Sequence, residues 1–214
     1  GLHDHDYVYV EKGGEIIPKI VGINLEKRAS NSQEIEYIKN CPECGTELIK
    51  LEDQAIHFCP NDMHCPPQVV GRMIHYVSRK ALDIEGLGAE TIEQLYREKL
   101  VENPADFYVL KKEQLLPLER MAEKSAQNII DGVEKSKEIP FEKVLFGIGI
   151  KHVGETVAKK LAKNFNTIDD LKNATAEELI QVEDIGGKIA ESIVKFFNDS
   201  ENILMIERLK SYGV

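Results

Sequence analysis

Four cysteines, Cys41, Cys44, Cys59 and Cys65, are the only ones in the chain. Confining every cysteine to one short segment suits a metal site in a reducing compartment better than disulfides spread over a fold. The first pair sits in the knuckle CPECG at 41–45. Its two intervening residues bend the chain so that both thiolates reach one ion, and Gly45 relieves the turn. The second pair, in CPNDMHC at 59–65, is more widely spaced. Zn²⁺ held by four thiolates is tetrahedral and closed to water, so the expected role is structural rather than catalytic. His57 and His64 lie near enough to substitute as ligands, but the four thiolates already complete the shell. Both histidines are expected at the surface.

A second kind of chemistry belongs to main-chain groups at a repeated turn. With Gly88, Ala122, Gly154 and Gly186 aligned, Ile84, Leu118, Ile150 and Val182 stand four positions before them and Leu87, Met121, Val153 and Ile185 one before. Ile92, Ala126, Ala158 and Ala190 follow four positions after, and Leu95, Ile129, Leu161 and Ile193 seven after. Repetition of this kind marks one supersecondary unit used four times. Each copy reads as a short helix, a tight hairpin and a second helix, with a small residue allowing close crossing. This is the helix-hairpin-helix pattern. Its turn brings backbone N–H groups to the start of the second helix, where the helix dipole also favours an anion such as phosphate.

The copies differ. The first keeps Gly86 and Gly88, and the third offers Lys151 and His152 beside Gly154. The fourth sets Glu183 and Asp184 before Gly186, with Gly187 and Lys188 following, and the second depends on Arg120 and Lys124. The first and third are expected to approach a nucleic-acid backbone most closely. The alternative is that the repeats are structural hairpins serving a protein-interaction scaffold. Likewise, Lys159, Lys160 and Lys163 are either part of a binding face or a solvated helix surface.

The elements that must position these groups follow from patterning. Residues 7–23, YVYVEKGGEIIPKIVGI, run apolar on both sides of Gly13 and Gly14, as in a strand, tight turn and strand. Two strands alone are marginal, so the hairpin reads as the end of a larger β-domain. Residues 24–40 are polar with few apolar anchors, as expected of a linker or loosely packed arm. Residues 41–66 are too few to bury a core without metal. Residues 67–214 are expected to be helices and short turns, opening with a stripe of Val70, Ile74 and Val77 beside Met73.

The net charge of −10 argues against a binder driven by many lysine and arginine contacts with phosphate. The excess is unevenly spread: residues 1–66 carry 6 basic and 12 acidic side chains, residues 67–214 carry 21 and 25. The helical part is therefore nearly balanced, and main-chain donors hold DNA without requiring a large positive charge. No run approaches the roughly 18 apolar residues of a membrane helix, and the polar Gly1 to Asp6 is unlike a signal peptide, so a cytoplasmic setting is expected.

The order of β-hairpin, four-cysteine module and four helix-hairpin-helix units resembles the C-terminal half of bacterial NAD-dependent DNA ligases. VEKGGEIIPK at 10–19, CPECG at 41–45, HYVSRKALDIEGLG at 75–88, ERMAEKSAQNI at 119–129 and GIKHVGETVAKKL at 149–161 carry the match. The resemblance implies a mainly α fold in four segments: OB-fold strands at 1–23, a linker at 24–40, a zinc finger at 41–66 and a DNA-binding domain at 67–214. It also implies a parent enzyme that seals 5′-phosphate, 3′-hydroxyl nicks in duplex DNA during replication and repair, using NAD and Mg²⁺, in the nucleoid-containing bacterial cytoplasm. The family's nucleophilic lysine lies in a K-x-D-G motif of an upstream adenylation domain, and no such motif occurs here. These 214 residues are thus expected to position nicked DNA without adenylating or ligating, and without binding NAD or Mg²⁺. Lys12, by the same resemblance, lies in a hairpin that faces DNA.

Overall fold

The computed structural model describes residues 1–14, 16–50 and 56–214. Position 15 of the expected hairpin and positions 51–55 of the expected zinc module lie outside the described residues. The chain forms two compact units, Gly1–Pro60 and Asn61–Val214.

In the first unit, β1 (Val8–Gly13) and β2 (Ile17–Ile23) pair antiparallel, with Gly13 opposite Ile17 and Val8 opposite Ile23. A bulge between Tyr9 and Val10 shifts the register. Gly14, at φ 75°, occupies the left-handed region that glycine enters without steric cost. Tyr9, Val10, Ile17, Ile20 and Val21 are exposed, so the hairpin buries neither face within this unit. The polar stretch that follows is specifically tied rather than loose. Arg28 donates to both carboxylate oxygens of Asp6 at 2.8 and 2.7 Å, and backbone bonds join Asp4 to Gln33 and Ile35 to Leu2. The Arg28 guanidinium pulls the Asp6 carboxyl down to about 2. Two short strands, β3 (Ile49–Lys50) and β4 (His57–Phe58), pair antiparallel beyond it.

The second unit is helical. α1 (Pro66–Val77) starts on prolines whose fixed φ suits a first turn. Its buried face is Val69, Met73, Tyr76 and Val77, while Val70 and Ile74 are half-buried; the stripe is therefore rotated from the one expected. Tyr76 accounts for the difference. Its hydroxyl meets that of Tyr108 at 2.9 Å, Tyr108 meets Ser136 at 2.9 Å, and Ser136 donates to the Val133 carbonyl at 2.7 Å, so this ring is buried with its polar tip satisfied.

α2 (Ala89–Arg97), α3 (Lys112–Leu115), α4 (Glu123–Lys135), α5 (Phe141–Gly147), α6 (Glu155–Asn164), α7 (Ile168–Asn173), α8 (Ala176–Ile180), α9 (Gly187–Asn198) and α10 (Ser200–Ser211) follow. The four repeat copies are the pairs α1 with α2, α3 with α4, α5 with α6, and α8 with α9. Their apolar columns form the core. Ile92, Ala126, Ala158 and Ala190 are completely buried, with Leu95, Ile129, Leu161 and Ile193 beside them. Gly147 makes the close approach of α5 to the turn after α1: a Cβ there would stand 2.5 Å from Leu82 and 3.2 Å from Ala81. The fold is thus mainly α with tandem helix-hairpin-helix units. Among the described residues no helix is long and apolar enough to cross a membrane.

Candidate metal centre and nucleic-acid interface

The sulfurs of Cys41, Cys44, Cys59 and Cys65 all lie within 4.8 Å of one another, and Cys44 and Cys59 approach to 3.5 Å. Zn–S bonds of about 2.3 Å in a tetrahedron place sulfurs about 3.8 Å apart, so the donor set fits. The local chain explains the convergence. Gly45 takes φ 72°, its N–H donates to the Cys41 carbonyl at 2.9 Å, and the Cys41 N–H donates to the Thr46 carbonyl at 2.8 Å, closing the first knuckle. On the other side, the Cys65 N–H donates to the Asn61 carbonyl at 3.0 Å, and Cys65 is the N-cap of α1. Thr46, with its hydroxyl 3.2 Å from the Cys44 sulfur, holds that thiol down to about 6, favouring the thiolate a metal requires. All four cysteines are thiols rather than disulfides. Neither expected surface histidine belongs to the cluster. His64 is exposed and 3.3 Å from Glu201, but His57 is half-buried against the Tyr37 ring, with its Nδ1 buried and without a partner among the described residues. The expectation of a surface His57 is corrected by this aromatic packing.

The four hairpins share one backbone conformation. The residue two places before each aligned position lies in the left-handed region: Gly86 at φ 89°, Arg120 at 58°, His152 at 67° and Asp184 at 64°. The next residue, Leu87, Met121, Val153 or Ile185, donates its N–H three residues back to the Ile84, Leu118, Ile150 or Val182 carbonyl. Gly88, Ala122, Gly154 and Gly186 are then N-caps of α2, α4, α6 and α9, all extended with φ between −82° and −91°. Their carbonyls accept from Ile92, Ala126, Ala158 and Ala190.

The N-cap residue of each of these four helices makes no side-chain cap, as is also true of α1 and α5. By contrast, Thr167, Thr175 and Asp199 cap α7, α8 and α10, and Asn103 caps the 3₁₀ stretch Pro104–Val109. The first N–H groups of a helix have no partner within it, so the hairpin helices present donors to whatever lies outside. Gly88, Gly154, Gly186 and Gly187 meet nothing within 4 Å of an added Cβ, and their exposed positions require no positive φ. Neither packing nor backbone strain explains glycine there. Gly86 differs, because a Cβ on it would strike Ile129 Cγ1 at 2.9 Å.

Acidic groups at the hairpin mouths are matched by bases from elsewhere in the unit. Glu90 of α2 faces Arg120 at 3.9 Å, Glu123 of α4 pairs with Lys112 at 2.5 Å, and Glu155 of α6 pairs with Lys80 at 2.9 Å. In the fourth hairpin, Lys160 of α6 pairs with Asp184 and stands 3.2 Å from Glu183. The bases Lys80 and Lys160 lie 75 and 24 positions from their partners, so nothing local in the sequence signals either pair. Arg120, Lys124, Lys151, His152 and Lys188 are exposed around the turns, and Lys12 is exposed on β1 opposite Pro18.

The comparisons with known proteins agree with this architecture. Residues 40–66 match the family described as NAD-dependent DNA ligase C4 zinc finger domain. Residues 78–135 match a SAM-like helix-hairpin-helix tandem, covering the first two hairpins, and residues 143–206 match a helix-hairpin-helix motif, covering the last two. A DNA ligase of Flavobacterium psychrophilum is 59% identical over 210 residues, 98% of this chain and 32% of that protein. One from Christiangramia forsetii is 57% identical over 213 residues, and one from Bacteroides fragilis 50%, each again covering 32% of the relative. The chain therefore spans about a third of the length of the curated relatives it matches. A segment matching the NAD-dependent ligase zinc finger leads into two matched helix-hairpin-helix tandems, and over nearly its whole length the chain is similar to one region of these bacterial DNA ligases.

Proposed function

We propose that this region holds nicked duplex DNA in register for end joining, while the adenylation chemistry resides in another part of a longer ligase. The reading rests chiefly on four turns of one conformation, each presenting an uncapped helix N-terminus outward. Main-chain amides recognise phosphate oxygens without reading bases, which suits an enzyme that must act at any sequence. The residues proposed to line the backbone are Gly86, Gly88, Arg120, Lys124, Lys151, His152, Gly154, Gly186, Gly187 and Lys188, with Lys12 contributing from the hairpin strands. Gly86 contributes by shaping its turn, since its Cβ position is filled by Ile129.

The division of labour follows the segments read from the sequence. Residues 1–23 complete an OB-fold, 24–40 connect, 41–66 form the zinc finger and 67–214 grip DNA. The exposed apolar residues on both faces of the β1–β2 hairpin support the first assignment. NAD and Mg²⁺ act at the adenylation domain, and these 214 residues, which contain no K-x-D-G, do not form a lysine adenylate. Fluorescence anisotropy of a labelled nicked duplex, titrated with the zinc-loaded chain, tests the first claim. Binding that weakens as salt rises is expected, and no binding even at low salt would favour a protein-interaction scaffold instead. Mass spectrometry after incubation with NAD and Mg²⁺ tests the second, and an AMP adduct would overturn it.

A further inference from the structure

The fourth hairpin carries more acid in its turn than the other three, two of which have a single glutamate there, Glu85 and Glu119. At the left-handed position of the turn, where the others carry Gly86, Arg120 and His152, it carries Asp184, preceded by Glu183. Two carboxylates beside uncapped amides repel the phosphate those amides would otherwise attract. Yet this turn keeps every feature that leaves space for a backbone: its N-cap at φ −87°, and Gly186 and Gly187 with nothing within 4 Å of an added Cβ.

The answer comes from the preceding repeat. Lys160, the residue just before Leu161 on α6, reaches across to the fourth turn and contacts both carboxylates, with Asp184 the closer. Its side chain is 23% exposed, whereas Glu183 and Asp184 are 85% and 66% exposed. The lysine side chain is thus less exposed than either carboxylate it meets. Exposed ion pairs contribute little to stability, so a lysine in this place is better understood through the field it imposes on the turn.

We propose that Lys160 is a positioning residue for DNA binding, one that offsets part of the negative charge of Glu183 and Asp184 so that the amides of the fourth hairpin engage a phosphate. This rests on the reading that the hairpins hold DNA. Lys160 acts through the turn rather than by touching the nucleic acid, and that distinction is measurable.

The test is anisotropy of a nicked duplex at low salt with the zinc-loaded chain and three variants: K160M, E183Q/D184N and the triple combination. K160M is expected to bind up to about ten-fold more weakly, the effect of removing one positive charge beside the carboxylates near a phosphate across solvent-like dielectric. The triple variant, which loses two negative charges and one positive, is expected to bind at least as tightly as the unmodified chain. A triple variant as weak as K160M would mean that Lys160 itself contacts phosphate, and K160M binding at full strength would mean that the turn needs no neutralisation; either overturns the proposal. Absence of binding by the unmodified chain would sink the DNA-holding reading and this inference with it, a failure distinct from equal binding by chain and variant. Where K160M fails to fold, E183Q/D184N alone decides. Releasing Lys160 from its partners should then raise affinity several-fold, and unchanged or lower affinity refutes the role.

Discussion

Replacing Gly86 and Gly88 by alanine, one at a time, separates a glycine the fold requires from one it leaves open. Gly86 sits at φ 89°, and a Cβ there would meet Ile129 Cγ1 at 2.9 Å. An L-residue in the left-handed region costs about 1–2 kcal/mol, and forcing a methyl into a packed contact costs about 1–3 kcal/mol. Alanine recovers roughly 0.5 kcal/mol by restricting the unfolded chain. Gly86→Ala should therefore destabilise the helical unit by about 2–4 kcal/mol. Gly88, two residues on, has φ −84° and open space around its Cβ position, and Ala122 already occupies the equivalent N-cap at φ −91°. Gly88→Ala should change stability by less than about 1 kcal/mol. With a urea m-value of about 2 kcal/mol/M, the first substitution moves the denaturation midpoint by about 1–2 M and the second scarcely at all. The order reverses for DNA. A larger side chain at the open position, Gly88→Val, should weaken binding to a nicked duplex about ten-fold, as expected for losing one charge-assisted backbone contact. Wild-type stability in Gly86→Ala, or equal destabilisation by both alanine variants, would refute the reasoning from turn geometry.

Chelation of the metal should unfold the cysteine segment at near-neutral pH, seen as lost amide protection around 41–49 and 57–65, and elemental analysis should return about one zinc per chain. Tyr76→Phe removes the hydroxyl that meets Tyr108 and should cost about 1 kcal/mol in thermal or urea unfolding, with Ser136→Ala costing more because it also strips Tyr108 of its second partner. The Asp6–Arg28 contact has a defined pH window: the folded carboxyl is held at about 2, below its unfolded value of 3.8, so the stabilisation is complete above about pH 4 and is lost as pH falls toward 2. Exchange of the Asp4 and Ile35 amides should accelerate over that window, and in D6N it should already be fast at neutral pH.

Much of this was legible from residue type and spacing. The cysteine pattern identifies its own cluster because ligand geometry is imposed by the ion, and the repeat identifies helix-hairpin-helix units because its four apolar columns have fixed places in the core while the aligned Gly or Ala column caps the second helix at the surface. The common turn conformation was hidden. Only the first copy marks the left-handed position with glycine, while Arg120, His152 and Asp184 are held there by the N–H to carbonyl bond that closes each turn. The rotated face of α1 was hidden for a related reason, since burial of Tyr76 depends on hydroxyl partners at Tyr108 and Ser136 that no local periodicity reveals. Residues 24–40 read as a linker because their anchors are polar. Arg28 finds its partner 22 residues back, at Asp6, rather than in any apolar stripe.

The overall charge of −10 is the property most at odds with a DNA clamp, and the structure reconciles the two by where charge is placed rather than by how much there is. Backbone N–H groups carry partial positive charge that no titration or sequence count registers, and four helices aim such groups outward. A donor of this kind is useful only when no carboxylate dominates the potential within a few ångströms, because phosphate approaches to hydrogen-bond distance while salt screens charges more than about 10 Å away. Short-range neutralisation at each mouth, by Arg120, Lys112, Lys80 and Lys160, is therefore what the geometry needs, and acidic residues farther off are tolerated. Three of these bases answer a carboxylate in the first turn of the helix, whereas Lys160 answers two in the turn itself. On the proposed role of Lys160, the fourth hairpin depends on a residue of its neighbour, and the third and fourth repeats are expected to act on DNA as a pair rather than as independent copies.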